Sequence, residues 1–231
     1  MPAGATQIQM VAVLTGDIIA STSLSDEARG RLPDAIQAVA ERMTRSFPAY
    51  LPYALDFFRG DSWQWLVVPP GKSLRMAIFM RSLLLNALPQ ETLDTRIAIG
   101  IGAIKSIPEG DLARGDGEAF RISGELLGQF GRGDRLRVRL AVRMEHTYGE
   151  ALDIVARLID QQMCQWTKKQ AHAISGAILG YTQHESARHW FSPSISQQAV
   201  AQHLERAGWR TLEASISFFE HALRAANTTL S

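Results

Sequence analysis

A single cysteine, Cys164, among 231 residues leaves no partner for an internal disulfide and fits a reducing compartment. There is no excess of one charge sign. Lys and Arg total 24 against 23 Asp and Glu, so no global field draws the chain to nucleic acid or to an anionic membrane. Long hydrophobic runs are missing as well. The most apolar helical stretch, residues 76–88, is short and carries Arg81, so no membrane span is expected. The N-terminal residues lack the basic-apolar-small order of a signal peptide, and a cytoplasmic location is expected. What is there is an ordinary globular balance, 46% hydrophobic and 20% charged, enough for one large domain or two smaller ones.

Strand-like and helix-like periods alternate up to about Val142. Residues 9–14 form an apolar run with β-branched members, the pattern of a buried strand. Pro33 can open a helix in which Ala35, Val39, Met43 and Phe47 recur at helical spacing. Residues 53–58 and 62–68 flank Arg59-Gly60-Asp61 as a hairpin with Gly60 at its turn. A helix over 74–88, a strand over 96–104, a helix over 118–129 and a strand over 136–142 follow. This β-α-β-β-α-β order predicts an α+β fold: a ferredoxin-like antiparallel sheet with helices on one face. After Val142 only helical signals remain. Tyr148, Leu152, Val155, Ile159 and Met163 mark an amphipathic helix, and shorter helices run on from there.

Two apolar runs are interrupted by Gly-Asp: MVAVLTGDIIASTSL (residues 10–24) and FFRGDSWQWLVV (residues 57–68). The pair recurs at Gly110-Asp111, Gly115-Asp116 and Gly133-Asp134, where a polar, Gly-rich context reads as solvated turns. Asp17 and Asp61 differ because each ends or begins a strand. In the expected sheet the end of the first strand lies beside the hairpin turn, which brings the two carboxylates together. Paired carboxylates repel unless a cation sits between them, and hard oxygen donors suit Mg²⁺ or Mn²⁺. The Ile18 carbonyl could add a ligand, and the amides of Ile19, Ala20, Ser21 and Thr22 could face an anion. Together these make a candidate metal–polyphosphate site.

The stretches TGDIIAST and FRGDSWQ resemble the segments in which class III nucleotide cyclases carry their two metal-binding aspartates. RIAIGIGAI (96–104) and GDGEAFRISGELL (115–127) resemble a later strand and a later Gly-plus-helix segment of that family. Most of the chain resembles the SatD-like bacterial proteins, in which a cyclase-like region precedes a helix-turn-helix. The resemblance implies metal sites at Asp17 and Asp61 and phosphate contacts in the turn after Asp17. The chain also departs from the family. Phe57 stands where cyclases place a purine-selecting Lys, and Phe120 lies near the position of a ribose-orienting Asn. No Arg matches the residue that stabilises the transition state, although Arg121 is close by. Losing those donors costs the reaction more than it costs nucleotide binding, so ordinary cyclase turnover is not expected.

From residue 182 to 204 the chain reads TQHESARHWFSPSISQQAVAQHL. Thr182 with Glu185 forms a capping box, Ser196 can cap a second helix, and Val200, Ala201 and Leu204 give that helix an apolar face. This is a helix-turn-helix pattern with a long turn. Its polar face offers Gln197, Gln198, Gln202 and Arg206 to base edges, while Lys168, Lys169 and Arg188 could meet phosphates. A small helical bundle that mediates dimer contacts is the competing reading. His184 and His189, five residues apart, do not share a helix face and are not expected to ligate metal.

The expected organisation is a cyclase-like domain over 1–145, a linking helix over 146–166 and a helix-turn-helix domain over 167–231. The expected partners are a nucleotide or other phosphate ligand, DNA and a second copy of the chain. Two other readings remain open: a nucleotide cyclase or nucleotidyl-transferring enzyme with an altered base site, and a dimerisation module without activity.

Overall fold

The first strand, β1 (Met10–Ile19), lies inside the sheet, between β3 (Ser62–Val67) and β4 (Asp94–Ser106), and is antiparallel to both. The computed structural model of the chain describes residues 10–19, 24–58, 61–88, 90–108, 111–191 and 193–229. Short β2 (Asp56–Phe58) pairs antiparallel with β3 and forms one edge. At its other side β4 pairs antiparallel with the two-residue β5 (Asp116–Gly117) and parallel with β6 (Leu140–Met144). The helices are α1 (Asp26–Ser46), α2 (Ser73–Leu84), α3 (Glu118–Leu127), α4 (Gly149–Met163), α5 (Lys168–Ile178), α6 (Gln183–Arg188), α7 (Gln197–Arg206) and α8 (Trp209–Thr229). The chain is α+β, and its first six major elements follow the expected order.

Helices cover both faces of the sheet, not one. Val11, Ala12, Val13 and Leu14 are all fully buried, so both alternating sets of β1 need an apolar partner. Ala12 and Leu14 belong to the core that includes α1 and α2, whereas Val11 and Val13 pack with Ala119 and Phe120 of α3. The expected start of α1 at Pro33 is also corrected: the helix begins at Asp26. The Ser25 hydroxyl caps it by accepting from the Ala28 amide, and Asp26 and Glu27 suit its first turn. Pro33 sits inside, at a cost of about 3 kcal/mol. The buried stripe Leu32, Ile36, Val39, Ala40 and Met43 outweighs it.

The strand expected over 136–142 forms instead over 140–144. Alternating Arg and apolar residues imitate a strand period here, but the arginines answer to carboxylates on other elements, Asp153 of α4 and Asp94 at the start of β4. Arg135 donates to Asp153 at 2.8 Å and Arg139 to Asp94 at 2.7 Å, while Leu136 is left 65% exposed. Residues 133–135 make a 3-10 turn. Two carboxylates of α4 then serve the strand: Asp160 accepts from the Arg139 amide at 2.7 Å and Asp153 from the Val142 amide at 3.1 Å. Seven residues apart on one helix face, they meet amides that β4 leaves unpaired.

Arg81 of α2 is 1% exposed and fully engaged. Its guanidinium forks onto Asp94 (2.9 and 3.0 Å) and donates to Asp160 at 2.7 Å. Burial opposes charge on both Arg81 and Asp94, yet their mutual attraction wins. The Asp94 carboxyl is held below the usual carboxylate range and the Arg81 guanidinium above its ordinary value. Later helices pack on the same core, which runs through Ile174 and Phe219. Glu220 of α8 receives Lys72 and Arg75 at 2.7 Å each, and Lys168 at the head of α5 donates to the Leu88 and Glu91 carbonyls at 2.6 Å. Replacing Arg81 by Met leaves Asp160 and part of Asp94 buried without a counter-charge. We expect urea unfolding to show a loss of about 3–5 kcal/mol; a loss near zero would mean that the network does not hold these elements together.

Candidate functional site

The Gly-Asp of β1 has a packing cause. A Cβ at Gly16 would collide with the Arg96 carbonyl and the Trp63 indole, so only glycine lets the strand lie against both. Asp17 follows on the opposite face. It stands directly across from Ser62 on β3 and Arg96 on β4. The neighbouring Ile18 amide donates to the Asp61 carbonyl at 3.3 Å, so the end of β1 and the entry to β3 are joined through the main chain. Asp17, Ile18 and Asp61 are therefore together at one end of the sheet. Of the other three Gly-Asp pairs, Asp111 caps a 3-10 turn at 3.1 Å and Gly133 turns with φ 52°, whereas Asp116, expected in a turn, lies in β5 and pairs with Lys105 at 2.8 Å.

Arg96 was legible only as the first residue of a strand, yet it is the group that meets Asp17. Its Nε donates to Asp17 Oδ1 at 2.7 Å and its Nη2 to Oδ2, a two-bond fork. The hydrogen bond to Asp17 and the charges of Asp17 and Asp61 hold the guanidinium above its ordinary value, against its partial burial. The signal was available in the pairing register. With β1 and β4 antiparallel, the Arg that opens RIAIGIGAI falls opposite the Asp that ends MVAVLTGD.

Phe57 pairs with Trp63, so by register it shares Trp63's face and not Asp17's; it is 39% exposed. Phe58 stands on the Asp17 side. Phe120 is buried against Val11, Val13 and Leu112. Arg121 points to Glu125 at 3.2 Å and Glu145 at 3.6 Å. Ile19 ends β1 opposite Asp94, and Ala20, Ser21 and Thr22 lie outside the described residues, as does Gly60 at the hairpin turn. Two residues inward from Asp17 on β1, at Thr15, the sheet meets α3 through a polar row. Ser123 donates to the Phe120 carbonyl, so Thr15 donates to Ser123 Oγ (2.8 Å) and accepts from Gln64 Nε2 (3.1 Å). Gly100 beneath lets α3 come close, because a Cβ there would strike the Ala119 carbonyl.

Two carboxylates and a main-chain carbonyl are hard oxygen donors, the chemistry that Mg²⁺ or Mn²⁺ takes. By donor type the pair suits such an ion. Among the described residues no group of three or more His, Cys, Asp or Glu is arranged to hold one, so Asp17 and Asp61 would need oxygens from a ligand or water to complete the shell.

The C-terminal helices carry the other candidates. Both expected caps are present, with the Thr182–Glu185 box on α6 and Ser196 accepting from the Ala199 amide on α7. Along α7, Gln197, Gln198, Gln202 and Arg206 are exposed, Val200 is fully buried, and Ala201 and Leu204 are half-buried. Lys169 and Arg188 are exposed, while Lys168 spends its donors on the Leu88 and Glu91 carbonyls and burial lowers its proton affinity. Between the helices, Trp190 stacks on His203 (centroids 5.7 Å apart) and meets His172 edge-on at 4.6 Å.

Burial holds His172 below the ordinary imidazole value, with the Arg42 charge acting in the same direction and a bond to His189 opposing. Burial likewise lowers His203, beside Lys169 and Arg206. The folded state thus prefers both rings neutral. Neither ring costs stability above the unfolded value of about 6.5, and stability is lost as pH falls from there through their lowered folded values. Thermal melts at pH 7.5 and 5.5 should show a loss on acidification that is smaller in His172→Gln. Equal losses in both proteins would remove His172 as a cause.

No known protein-family profile matches the chain, and no curated protein does. Among solved structures the chain is weakly similar to the guanylyl cyclase Cya2, at 18% identity and a TM-score of 0.35 over 52% of this chain and 69% of that one. It is also weakly similar to the adenylyl cyclase CyaB from P. aeruginosa, at 20% identity and a TM-score of 0.34 over 53% of this chain and 72% of that one.

Proposed function

We propose that the chain is a bacterial regulator of the SatD-like kind. In this reading residues 1–145 form a ferredoxin-like, cyclase-like module that binds a nucleotide or other phosphate ligand, 146–166 form the joining helix, and 167–231 form a DNA-binding helix-turn-helix. The observation that carries it is the convergence of Asp17, Asp61 and Arg96 at one end of the sheet, on the motifs that resemble cyclase metal segments. Asp17 and Asp61, with the Ile18 carbonyl, would hold Mg²⁺ or Mn²⁺, which when bound would offset the negative charge of a polyphosphate. Arg96 is a further phosphate-type donor. A Cβ at Gly131 would lie only 3.7 Å from its Nη1, which sets the guanidinium beside the Arg-rich segment 132–139.

Binding without cyclisation is the role that the surrounding residues support. Phe57 shares the face opposite Asp17, Phe120 is committed to the core, and Arg121 is paired with two glutamates. None of them offers a donor to a base or to a developing negative charge at Asp17. Wild-type protein should bind a non-hydrolysable ATP or GTP analogue with Mn²⁺, and Asp61→Ala should weaken that binding at least about tenfold. Incubation with ATP or GTP should give no cyclic nucleotide. Turnover abolished by Asp61→Ala would replace this reading with an altered cyclase.

For the DNA arm, the exposed Gln197, Gln198, Gln202 and Arg206 on α7 support major-groove contact, with Lys169 and Arg188 toward phosphates. No described helix is long and apolar enough to cross a membrane, and a cytoplasmic homodimer fits the reading. Ile154 and Leu158, exposed one turn apart on α4, offer apolar surface for a second copy. Gel shifts should show Gln198→Ala relaxing preference at one base step by about 1–3 kcal/mol. Lys169→Ala should weaken all sequences alike and flatten the salt dependence. Absence of retarded DNA at low salt would leave only a dimer module.

A further inference from the structure

The sheet end that gathers Asp17 and Asp61 already contains a cation. Arg96 binds both oxygens of Asp17 in one fork, so a second cation at Asp17 meets the repulsion of a guanidinium already held there. The fork is not needed to set the strands. β1 and β4 are already aligned by ten consecutive residue pairs from Met10 to Ile19. Nor is Arg96 locked in place. Arg81 is 1% exposed and bound by two carboxylates, whereas the Arg96 side chain is 35% exposed and that of Asp17 is 19% exposed. A guanidinium at the surface can leave its carboxylate for water or another anion at small cost.

We propose that Arg96 is the resident cation of this aspartate pair and competes directly with divalent metal for Asp17. The proposal rests on the metal–phosphate reading only for the location of the site. Its physical content is a charge exchange: the ion gains Asp17 only as the fork opens, so the bare protein holds metal weakly. An anion that draws the guanidinium away, such as a polyphosphate, removes the competitor. Strand pairing is untouched by the exchange because it runs through main-chain bonds.

The test uses Mn²⁺ alone, with free ion read by electron paramagnetic resonance on full-length protein. An opposite charge at this range shifts a carboxylate's cation affinity by one to three powers of ten, so Arg96→Gln should bind Mn²⁺ about tenfold or more tighter than wild type. The double variant Asp17→Asn, Arg96→Gln should lose that gain. Arg96→Lys keeps the charge but cannot fork, and should fall between Arg96→Gln and wild type. It decides the matter should Arg96→Gln fail to fold by circular dichroism. A purely structural ion pair predicts a lower melting temperature with unchanged Mn²⁺ affinity, and that result overturns the proposal. So does tight Mn²⁺ binding by wild type, or no binding by any of the proteins. Because no nucleotide is present, a chain that fails to bind nucleotide can still pass this test. One that binds nucleotide but shows no Arg96 effect fails only here.

Discussion

A single buried guanidinium organises the middle of this protein. Arg81 reaches from α2 to the first residue of β4 and to α4, and its fork on Asp94 fixes where β4 begins. Asp94 Oδ1 also accepts from the Thr95 amide at 2.8 Å. Thr95 in turn donates its hydroxyl to the Asp17 carbonyl at 2.7 Å and accepts from the Trp63 indole at 3.0 Å. The strand ends that carry the candidate site are therefore tied to the buried ion network within one residue. An ion pair this deep earns little net stability against an apolar substitute, but breaking it is costly, since each partner left alone is a buried charge. What it contributes is register. The start of β4 cannot slide without unpairing Arg81.

The second constraint is that β6 lies on the outer side of β4. An edge strand exposes a row of amides, and here α4 supplies Asp153 and Asp160 to two of them. The same two residues receive Arg135, Arg157 and Arg81. A helix that reads in sequence as a simple amphipathic link is thus bound to the sheet through its polar residues as well as its apolar ones. The later helices continue that attachment by a different route, through Glu220 on Lys72 and Arg75 and through Lys168 on the carbonyls after α2.

Local signals were legible because local physics causes them. The caps at Thr182 and Ser196 stand as read; the apolar run of β1, expected over 9–14, extends to Ile19, and the stripe of α4 holds at Leu152, Ile159 and Met163 while Tyr148 is exposed ahead of the helix. Long-range pairing decided the rest. Arg135, Arg137 and Arg139 alternate like strand residues, but Arg135 and Arg139 are drawn to carboxylates far along the chain, which shortens the strand. Pro33 looked like a helix start because its own missing amide is a local fact, whereas the buried stripe that overrides it is not. At the site, the junction of the end of β1 with Asp61 follows from topology. Arg96 needed the register, and so did the assignment of Phe57 to the opposite face.

The two arginines on β4's flank make the same bond to opposite ends. Both fork onto an aspartate, yet solvent decides what the fork means. At Arg81, with water excluded, opening the fork would leave buried charge on Arg81 and Asp94 that only Asp160 and Arg139 could answer. At Arg96 water can replace the partner, so the bond is exchangeable and its strength depends on which other ions are present. A contiguous line of hydrogen bonds joins the two sites, from Asp17 through Thr95 and Asp94 to Arg81 and α4. Contiguity alone is not coupling, which requires an element with two states that both ends bias. None of the bonds along this line involves the Arg96 guanidinium. The network therefore holds the strand ends through bonds that the proposed exchange at Arg96 does not have to break.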